Sequence, residues 1–420
     1  MPDLQPARGT QDLLPEVMRR HRRVSDTARE LAALYGFAEI ATPVFEFTEV
    51  FARPIGEHTD IVAKEMYTFT DRGGEEVTLR PENTAGVVRA VLSNGLTQST
   101  PLKFFYSGPM FRYERPQKGR FRQFHQIGVE LIGVAQPQAD IEVIALGWRI
   151  LKELGIGDRV ELQFNTLGDP ESRARYRAVL VDFYSNRQSE LSEDSQRRLE
   201  ANPLRILDSK DPCDIRINVS APSYENYLTD ASRDFFTQVR GGIGRLGIST
   251  MRHNPRLVRG LDYYTHTVFE FVTTDLGAQG TVLAGGRYDG LVELMGGPSM
   301  PGVGWAAGIE RLAILIDQPP APPRPIAIVP IGAIAEAQAP ALSERLRDRG
   351  FVVELGYSGN VQRRMRRASR VDARAALLIG EEELQRNVLT LRDFDSGEQV
   401  EVPMDESLDE LSARLKTLVG

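Results

Sequence analysis

The sequence is short of cysteine and of long apolar segments, and both shortages limit what the protein can be. Cys213 is the single cysteine among 420 residues, so an internal disulfide is excluded and a reducing compartment is expected. No apolar run reaches the ~20 residues that a membrane helix needs, and the N-terminal region, with Asp3 and Asp12, lacks a signal-like apolar stretch. The sequence therefore predicts a cytoplasmic protein that does not associate with membranes.

Histidine is also scarce, which bears on metal binding. The five histidines are His21, His58, His125, His253 and His266. None of them stands at a sequence spacing from Cys213 that is typical of metal ligands. Because sequence-recognisable zinc sites place Cys and His ligands at short, regular spacings, this pattern predicts no zinc. Cys213 is interpreted as structural or incidental, and His125 is expected to face the core.

The remaining composition is that of an ordinary globular protein. Hydrophobic residues make up 41% and charged residues 26%, and the length suits two or three domains. The net charge of -7 argues against a protein covered with cations. Nucleic-acid binding needs only a local basic patch, so composition leaves that class of partner open.

Hydrophobic periodicity predicts the elements of the first three quarters of the chain. A helix is predicted over 16–35, and short links suggest an antiparallel sheet with strands at 104–106, 110–114 and 121–132. The segment 304–315 is predicted to be a helix.

Changes in composition then set the expected domains. Polar helical segments from about 170 to 250 predict an inserted helical module. The proline run at 319–323 predicts a stiff linker, and after it strands and helices alternate as in α/β domains. The prediction is an α+β domain with a mostly antiparallel sheet over 1–320, followed by an α/β domain with a mixed sheet over 325–420.

A hairpin with a basic tip, residues 111–126, is the most informative segment. Its tip holds Arg115, Lys118 and Arg120. Since alternate residues of a strand share a face, Arg112 is expected beside Glu114. A solvated charged turn is the alternative interpretation of such a tip.

The return strand carries a second polar row. Gln126, Gly128 and Glu130 are expected on one face, with room for a ligand above Gly128. Charged residues inside apolar runs are costly to bury without partners. This cost favours a binding site over a solvated turn.

Six stretches resemble, in order, the motifs of one enzyme family. Residues 111–126 are similar to motif 2 of the class II aminoacyl-tRNA synthetases, in a form close to that of the histidyl-tRNA synthetase family. Five further stretches are similar to that family's N-terminal signature, amino-acid-binding loop, two histidine motifs and motif 3: residues 8–15, 79–85, 259–264, 284–291 and 302–312. The resemblance implies a class II catalytic domain over 1–320 and an anticodon-binding domain over 325–420.

The resemblance implies activation of L-histidine by ATP and transfer of histidine to tRNA(His). Charge that builds on phosphoryl oxygens needs fixed cations, and by resemblance Arg112 binds the α-phosphate and Arg311 the distal phosphates. Arg259 is implied as an extra cation at the transition state, which makes Arg112 and Arg259 the predicted catalytic residues. Phe124 is expected to stack on adenine and Glu114 to read its amino group. Mg²⁺ is expected to bridge the phosphates, with ligands unassigned.

Histidine recognition is implied for a second group of side chains. Neutral imidazole has one donor and one acceptor, and Glu130 and Tyr264 resemble the pair that reads them. The other implied histidine-binding residues hold the α-ammonium, lie near the carboxylate or support the pocket: Glu82, Thr84, Gln126, Tyr263 and Tyr288. A site built on such polar contacts would reject analogues without an editing step.

Contacts with RNA and with a second copy of the chain are also implied. Gln117, Lys118 and Arg120 would meet the acceptor end of tRNA(His). The arginines of segment 361–370 are either anticodon-domain phosphate contacts or a solvated face. Motif 1, which covers the first helix and Pro43, implies a two-fold homodimer.

The sequence departs from the family pattern at two positions. Gln11 stands where the family usually has Lys or Arg. Asn83 replaces a usual Gly, and since Asn tolerates left-handed backbone better than most residues, the loop is expected to survive.

Alternatives remain open at this point. Each predicted arginine could instead form a surface salt bridge, and Phe124 could simply pack in the core. Glu130 could belong to a structural ion pair, and Gly302 and Gly304 could allow close helix–strand packing. The rival function is the regulatory subunit of ATP phosphoribosyltransferase, a non-catalytic paralogue that usually lacks the anticodon domain.

Overall fold

The structure is a computed structural model that describes residues 4–56, 59, 61–117, 119–258, 261, 263–277, 280–316, 321–405 and 407–419. The chain divides into two compact units, residues 1–320 and 321–420. Two predicted site residues, Arg259 and Lys118, lie outside the described residues, as does the start of the predicted linker at 319–323. Among the residues described, no helix is both long and apolar enough to span a bilayer.

The first unit is built on an eight-stranded sheet with a separate three-stranded sheet beside it. In chain order the strands are β1 Ala38–Glu39, β2 Phe45–Phe47, β3 Tyr67–Thr70, β4 Glu76–Leu79, β5 Leu102–Phe111, β6 Gln123–Ile132, β7 Glu161–Thr166, β8 Met251–His253, β9 Thr265–Val272, β10 Thr281–Arg287 and β11 Gly302–Gly308. The large sheet has the order β1-β5-β6-β11-β10-β9-β7-β8, and the small one β2-β4-β3. Only the two outermost pairs of the large sheet, β1 with β5 and β7 with β8, run parallel. The predicted mostly antiparallel sheet is therefore confirmed.

Helices cover the large sheet. They are α1 Pro15–Leu34, α2 Glu49–Ile55, α3 Thr84–Ser93, α4 Pro137–Glu153, α5 Pro170–Ser185, α6 Glu193–Ala201, α7 Pro212–Asn218, α8 Asp230–Gly244, α9 Leu291–Leu294 and α10 Ile309–Leu315. Short helical turns lie at Ile61–Glu65, Leu96–Gln98, Gly157–Arg159, Gln188–Glu190, Pro203–Ile206 and Tyr224–Tyr227. The predicted helix over 16–35 is confirmed as α1.

The two faces of β6 differ in kind. Ile127, Val129 and Leu131 lie in one apolar cluster with residues of α1, α4, α8 and α10. Gln126 and Glu130, which alternate with them, face the opposite side. A second apolar cluster there joins α5–α7 of the predicted helical module to the sheet. This division places the polar side chains of Gln126 and Glu130 on the face of the sheet that carries the helical module.

Two strand predictions in the hairpin are wrong in their bounds. The segments 104–106 and 110–114 form one ten-residue strand, β5, paired along its length with β6. Ser107-Gly108-Pro109 resembles a turn in sequence, but Gly108 lies where an added Cβ would come 2.5 Å from the Arg80 guanidinium. Arg112 and Glu114 lie beyond β5, so they do not share a strand face.

The predicted helix over 304–315 is also wrong in its first half. Residues 302–308 form β11, which pairs with β6 on one side and β10 on the other. Pairing on both edges overrides the local helix preference of an alanine-rich segment. The helix α10 begins only at Ile309.

The second unit is the predicted α/β domain. Its elements are β12 Ile326–Pro330, α11 Ala333–Arg347, β13 Val353–Leu355, α12 Val361–Arg370, β14 Ala375–Ile379, α13 Glu381–Gln385, β15 Val388–Asp393, β16 Gln399–Pro403 and α14 Asp409–Val419. The sheet order is β13-β12-β14-β15-β16, parallel over its first three strands and antiparallel after them. This confirms the mixed sheet.

Candidate active site

A polar cavity of about 300 Å³ opens on the module side of the large sheet. Eleven of the residues predicted from the sequence to form a site line it: Glu82, Thr84, Arg112, Glu114, Arg120, Phe124, Gln126, Tyr263, Tyr264, Tyr288 and Arg311. They come from β6, α3, α10 and the loops between elements, so the fold brings together side chains that are more than 200 residues apart. Of the predicted residues outside this lining, Glu130 lies behind the cavity and Gln117 is exposed on the hairpin.

Beneath the floor of the cavity, under the lining residues Thr84, Tyr106 and Tyr288, lies a buried carboxylate that accepts hydroxyl hydrogen bonds. Glu130 is fully buried. It accepts from Thr84 Oγ1 at 2.7 Å, from the Tyr288 hydroxyl at 2.5 Å and from the Tyr106 hydroxyl at 3.4 Å. Burial raises the pKa of Glu130 to about 8, although the hydroxyls of Tyr288 and Thr84 oppose that rise. The floor therefore holds a proton or accepts one from a ligand near neutral pH.

Glycines let this floor close tightly. Gly304 pairs with Glu130 across the sheet, and an added Cβ there would lie 2.0 Å from Glu130 Oε2. Gly128 is paired with Tyr106, whose hydroxyl would be 2.3 Å from its Cβ. The space predicted for a ligand at Gly128 is thus filled by Tyr106. Gly304 lies within β11 and lines the cavity.

One wall is the start of α3. The carboxylate of Glu82 accepts the backbone N–H groups of Thr84 and Ala85 at 2.7 and 3.0 Å. Burial raises the pKa of Glu82, while these backbone bonds lower it. The carboxylate is thus held by the first turn of the helix and presented to the cavity.

Asn83 has a role that the sequence did not indicate. Its backbone has φ -119°, so the left-handed conformation considered for this family glycine position is not used. Asn83 Oδ1 accepts from Thr42 Oγ1 at 2.6 Å and from Arg80 Nη1 at 3.3 Å. Arg80 also donates to the carbonyl of Pro109 at 2.8 Å. Arg80 and Asn83 together fix the loop before α3 against β5.

Guanidinium groups gather at the other end of the cavity. Arg311 at the start of α10 donates to the Thr281 carbonyl at 2.6 Å and has no carboxylate within salt-bridge distance among the described residues. Burial lowers the pKa of Arg311, and the positive charge of Arg120 adds to this effect. Arg112 donates through Nε to the Pro81 carbonyl at 2.8 Å. These backbone contacts aim fixed cations into the cavity.

Hairpin residues complete that end. The Arg112 guanidinium carbon lies 5.4 Å from the centroid of the Phe124 ring. Arg120 Nε lies 2.6 Å from Glu114 Oε2. One face of a half-buried aromatic ring therefore borders the cation cluster, and Glu114 is engaged by Arg120 in this structure.

Tyrosines form the remaining wall. The ring centroids of Tyr263 and Tyr264 are 4.8 Å apart, and those of Tyr263 and Tyr288 5.9 Å. Burial raises the pKa of Tyr288 and of Tyr263, so both hydroxyls stay protonated. Gln126 Oε1 is buried and accepts no hydrogen bond from the described residues. The cavity thus offers hydroxyls and one open acceptor to a ligand.

The N-terminal signature supports the hairpin. The Arg122 backbone N–H donates to the Gly9 carbonyl at 2.7 Å, and Gly9 has φ 87°. An added Cβ at Gly9 would lie 2.6 Å from the Arg122 side chain. Gln11, the other departure from the family pattern, is exposed.

The basic helix α12 is only partly available to a ligand. Arg364 is buried, pairs with Glu336 at 2.6 Å and donates to the Pro330 carbonyl. Arg367 pairs with Glu354. Arg363, Arg366 and Arg370 are exposed, so one part of the predicted row is structural.

Comparisons with known proteins agree with this geometry. A family model described as Histidyl-tRNA synthetase matches residues 9–168 and 229–312, and one described as Anticodon binding domain matches 325–414. A protein of Rhodospirillum rubrum named Histidine--tRNA ligase is 58% identical over 99% of this chain and 100% of its own length. The apo histidyl-tRNA synthetase of S. aureus superposes with a TM-score of 0.81 at 34% identity, covering 100% of both chains.

A further structure shows the fold alone. It is a Bacillus halodurans protein described as an ATP phosphoribosyltransferase regulatory subunit/histidyl-tRNA synthetase, with a TM-score of 0.65 at 22% identity, covering 90% of this chain and 98% of that one.

The antiparallel sheet, the basic hairpin and the arginine at the start of α10 define the catalytic domain of a class II aminoacyl-tRNA synthetase. Within that class, the chain belongs to the histidyl-tRNA synthetase family.

Proposed function

We propose that the protein is a histidine–tRNA ligase, which activates L-histidine with ATP and transfers it to the 3′ end of tRNA(His). The observation that carries the proposal is the arrangement of one cavity: guanidinium groups at one end and a buried carboxylate under hydroxyls at the other. Phosphate and imidazole need these two kinds of group respectively. The 58% identity over the whole chain to a histidine–tRNA ligase supports the same reaction.

The cation end would bind ATP. In activation, a histidine carboxylate oxygen attacks the α-phosphorus, the bond to the bridging oxygen breaks, and pyrophosphate leaves. Fixed guanidiniums stabilise the charge that develops on the phosphoryl oxygens. We assign Arg112 to the α-phosphate, Arg311 to the distal phosphates and Phe124 to the adenine ring. Arg259, which lies outside the described residues, is assigned to the transition state by family resemblance.

The hydroxyl end would bind histidine. Glu130 and Tyr264 are assigned to the imidazole. Glu130 would also orient the hydroxyls of Thr84 and Tyr288, which donate to it. Glu82 would hold the α-ammonium, and Gln126 would lie near the carboxylate. Tyr263 supports this wall through its ring contacts.

Mg²⁺ would be held chiefly by the phosphates of ATP. Glu270, whose charge acts on Arg311, offers a carboxylate that suits an oxygen-ligated cation, while Glu114 stays assigned to the adenine amino group. The bound ion would neutralise phosphate charge. The protein's own contribution is to hold the arginines that share that task.

RNA would meet the hairpin tip and the second unit. Gln117 is exposed and Arg120 borders the cavity, so both can contact the acceptor end of tRNA(His), with Lys118 assigned by resemblance. The match of 325–414 to an anticodon-binding domain supports a second contact. It also disfavours the regulatory subunit, which usually lacks that domain. The single cysteine suits the cytoplasm.

Histidine-dependent ATP–pyrophosphate exchange tests the function directly. The purified chain should exchange pyrophosphate with histidine and with no other standard amino acid. Arg259→Ala should lower the rate by at least ~10² because a transition-state cation is removed. No exchange by the unmodified chain would contradict the ligase and favour the regulator, and equal rates would remove Arg259 from the mechanism.

We also propose a two-fold homodimer formed through the small sheet. Phe45 and Phe47 on β2 and Phe69 on β3 are 57%, 52% and 48% exposed, an unusual density of exposed aromatic surface. Covering such a patch against a second copy removes it from water.

The dimer predicts a change in mass on one substitution. Light scattering should give twice 46.8 kDa for the unmodified chain and a mass near 46.8 kDa for Phe47→Asp. Tyr357→Asp, at a side chain 73% exposed in the second unit, serves as the control and should leave the mass unchanged. A monomeric unmodified chain would contradict the dimer.

A further inference from the structure

Three potential metal ligands meet where α1 and α10 pack against β6, and one of them, Glu310, also borders the cavity. His21 of α1, His125 of β6 and Glu310 of α10 place one ligand atom each within 4.8 Å of the others. They are 104 or more residues apart in the sequence, which is why spacing alone predicts no such site. His125 is expected to face the core, and its Nδ1 lies 2.8 Å from Glu310 Oε1.

The charge of this cluster is incompletely balanced. Glu310 is 5% exposed, and no lysine or arginine of the described residues lies within salt-bridge distance of it. Its carboxylate accepts the His125 backbone N–H at 3.0 Å from both oxygens. A buried carboxylate without a permanent cation is a favourable place for a bound one.

His21 supplies the second observation. It is 4% exposed and makes no hydrogen bond to the part of the chain that the structure describes. Its ring meets that of His125 edge to face, with centroids 5.5 Å apart. A buried imidazole beside a carboxylate and a second imidazole is a candidate ligand set for a cation.

The elements that carry the three side chains are held together independently of them. Arg20, next to His21, donates to the Ile316 carbonyl at the end of α10, at 3.3 Å. The backbone bond of His125 to Glu310 fixes β6 against the same helix. His125 keeps 24% of its side chain exposed, which leaves an entry path.

We propose that His21, His125 and Glu310 bind one divalent transition-metal ion, with zinc the best fit. Two imidazoles and a carboxylate form a recurrent zinc set, with ligand bonds of about 2.0–2.2 Å. Tetrahedral geometry at that length sets ligand atoms about 3.4 Å apart, a spacing that small side-chain movements reach from the observed cluster. A water molecule completes the shell on the exposed side.

The ion would tie α1 and α10 to the strand that lines the cavity. His125 lies between Phe124 and Gln126, and Glu310 precedes Arg311. None of the three ligands is assigned to a substrate, so occupancy of the site can be measured without reference to the ligase reaction.

Zinc titration of the full-length, EDTA-stripped protein tests the inference. Calorimetry should give one zinc per chain with a Kd of about 10 µM or tighter, and zinc should raise the midpoint of thermal unfolding. His21→Gln should weaken binding at least tenfold, by analogy with the loss of other metal-site residues, about 10–100-fold. His253→Gln, at a histidine outside the cluster, is the matched control and should bind as the unmodified chain does.

A measurement on the unmodified protein makes the test independent of how the variants fold. Zinc-edge anomalous diffraction from zinc-soaked crystals should place one peak among the three side chains. Absence of that peak, a Kd no tighter than ~1 mM, or equal affinity of His21→Gln and His253→Gln would each overturn the site. None of these outcomes bears on histidine activation, so the ligase proposal stands or falls separately.

Discussion

Arg112→Ala is expected to lower histidine-dependent pyrophosphate exchange by about 10²–10³, the loss typical when one fixed donor to a developing charge is removed. Arg112 lines the cavity and is bound to the Pro81 carbonyl through Nε, while its Nη1 lies 3.9 Å from Glu114 Oε1. The rate should fall more than the affinity for ATP, because Arg311 remains to hold the distal phosphates. Steady-state exchange over a range of ATP concentrations separates kcat from KM.

Two further variants sharpen this prediction. Arg112→Lys keeps the charge but lacks the forked donors, so it should recover only part of the rate. Arg115→Ala removes an exposed arginine of the same hairpin and should leave exchange without tRNA unchanged. An unaffected rate in Arg112→Ala, or an equal loss in Arg115→Ala, would show that the hairpin does not act through Arg112.

Glu130→Gln is expected to lower kcat/KM for histidine by about 10²–10³ while KM for ATP changes little. The amide replaces one acceptor oxygen by a donor, which then faces the hydroxyl of Thr84 or of Tyr288. A site that recognises its substrate by hydrogen bonds loses selectivity steeply when one buried group is mismatched. The variant should also discriminate less strongly between histidine and its analogues.

The pH dependence gives an independent check of Glu130. Its pKa of about 8 means that the carboxyl is mostly protonated below pH 8 and ionised above it. An ionised carboxylate is the better acceptor for an imidazole N–H, so the ratio of kcat/KM between the unmodified chain and Glu130→Gln should grow from pH 6 to pH 8.5. Tyr106→Phe, which removes the 3.4 Å contact with Glu130, should cost tenfold or less. A ratio that is flat with pH would exclude ionisation of Glu130 as the cause.

The sequence predicted which polar side chains form this site better than it predicted the residues that pack behind them. The side chains of 79–85, the hairpin and motif 3 all reach one cavity, since strand alternation and motif order indicate which groups share a region. Tyr106 was missed because its importance comes from lying opposite Gly128 in the pairing of β5 with β6. A large residue opposite a glycine would have been a signal only if the register had been known.

Longer-range pairing also explains the wrong elements. The helical pattern of 304–315 was real locally, but β11 fills the middle of the sheet, where two partner strands outweigh propensity. The cluster of His21, His125 and Glu310 has no local pattern at all. Its members meet because α1 and α10 pack on the same face of β6, a consequence of tertiary structure that spacing along the chain does not contain.

The bond between Gly9 and Arg122 has a practical side for anyone engineering the chain. Trimming the leading residues as far as α1, a common choice in preparing crystals, would strip the hairpin of a backbone acceptor and of the surface against which Arg122 rests. Affinity tags are better fused ahead of the intact leader through a flexible spacer. The residues ahead of α1 thus support a catalytic hairpin, and removing them would leave that hairpin less firmly held.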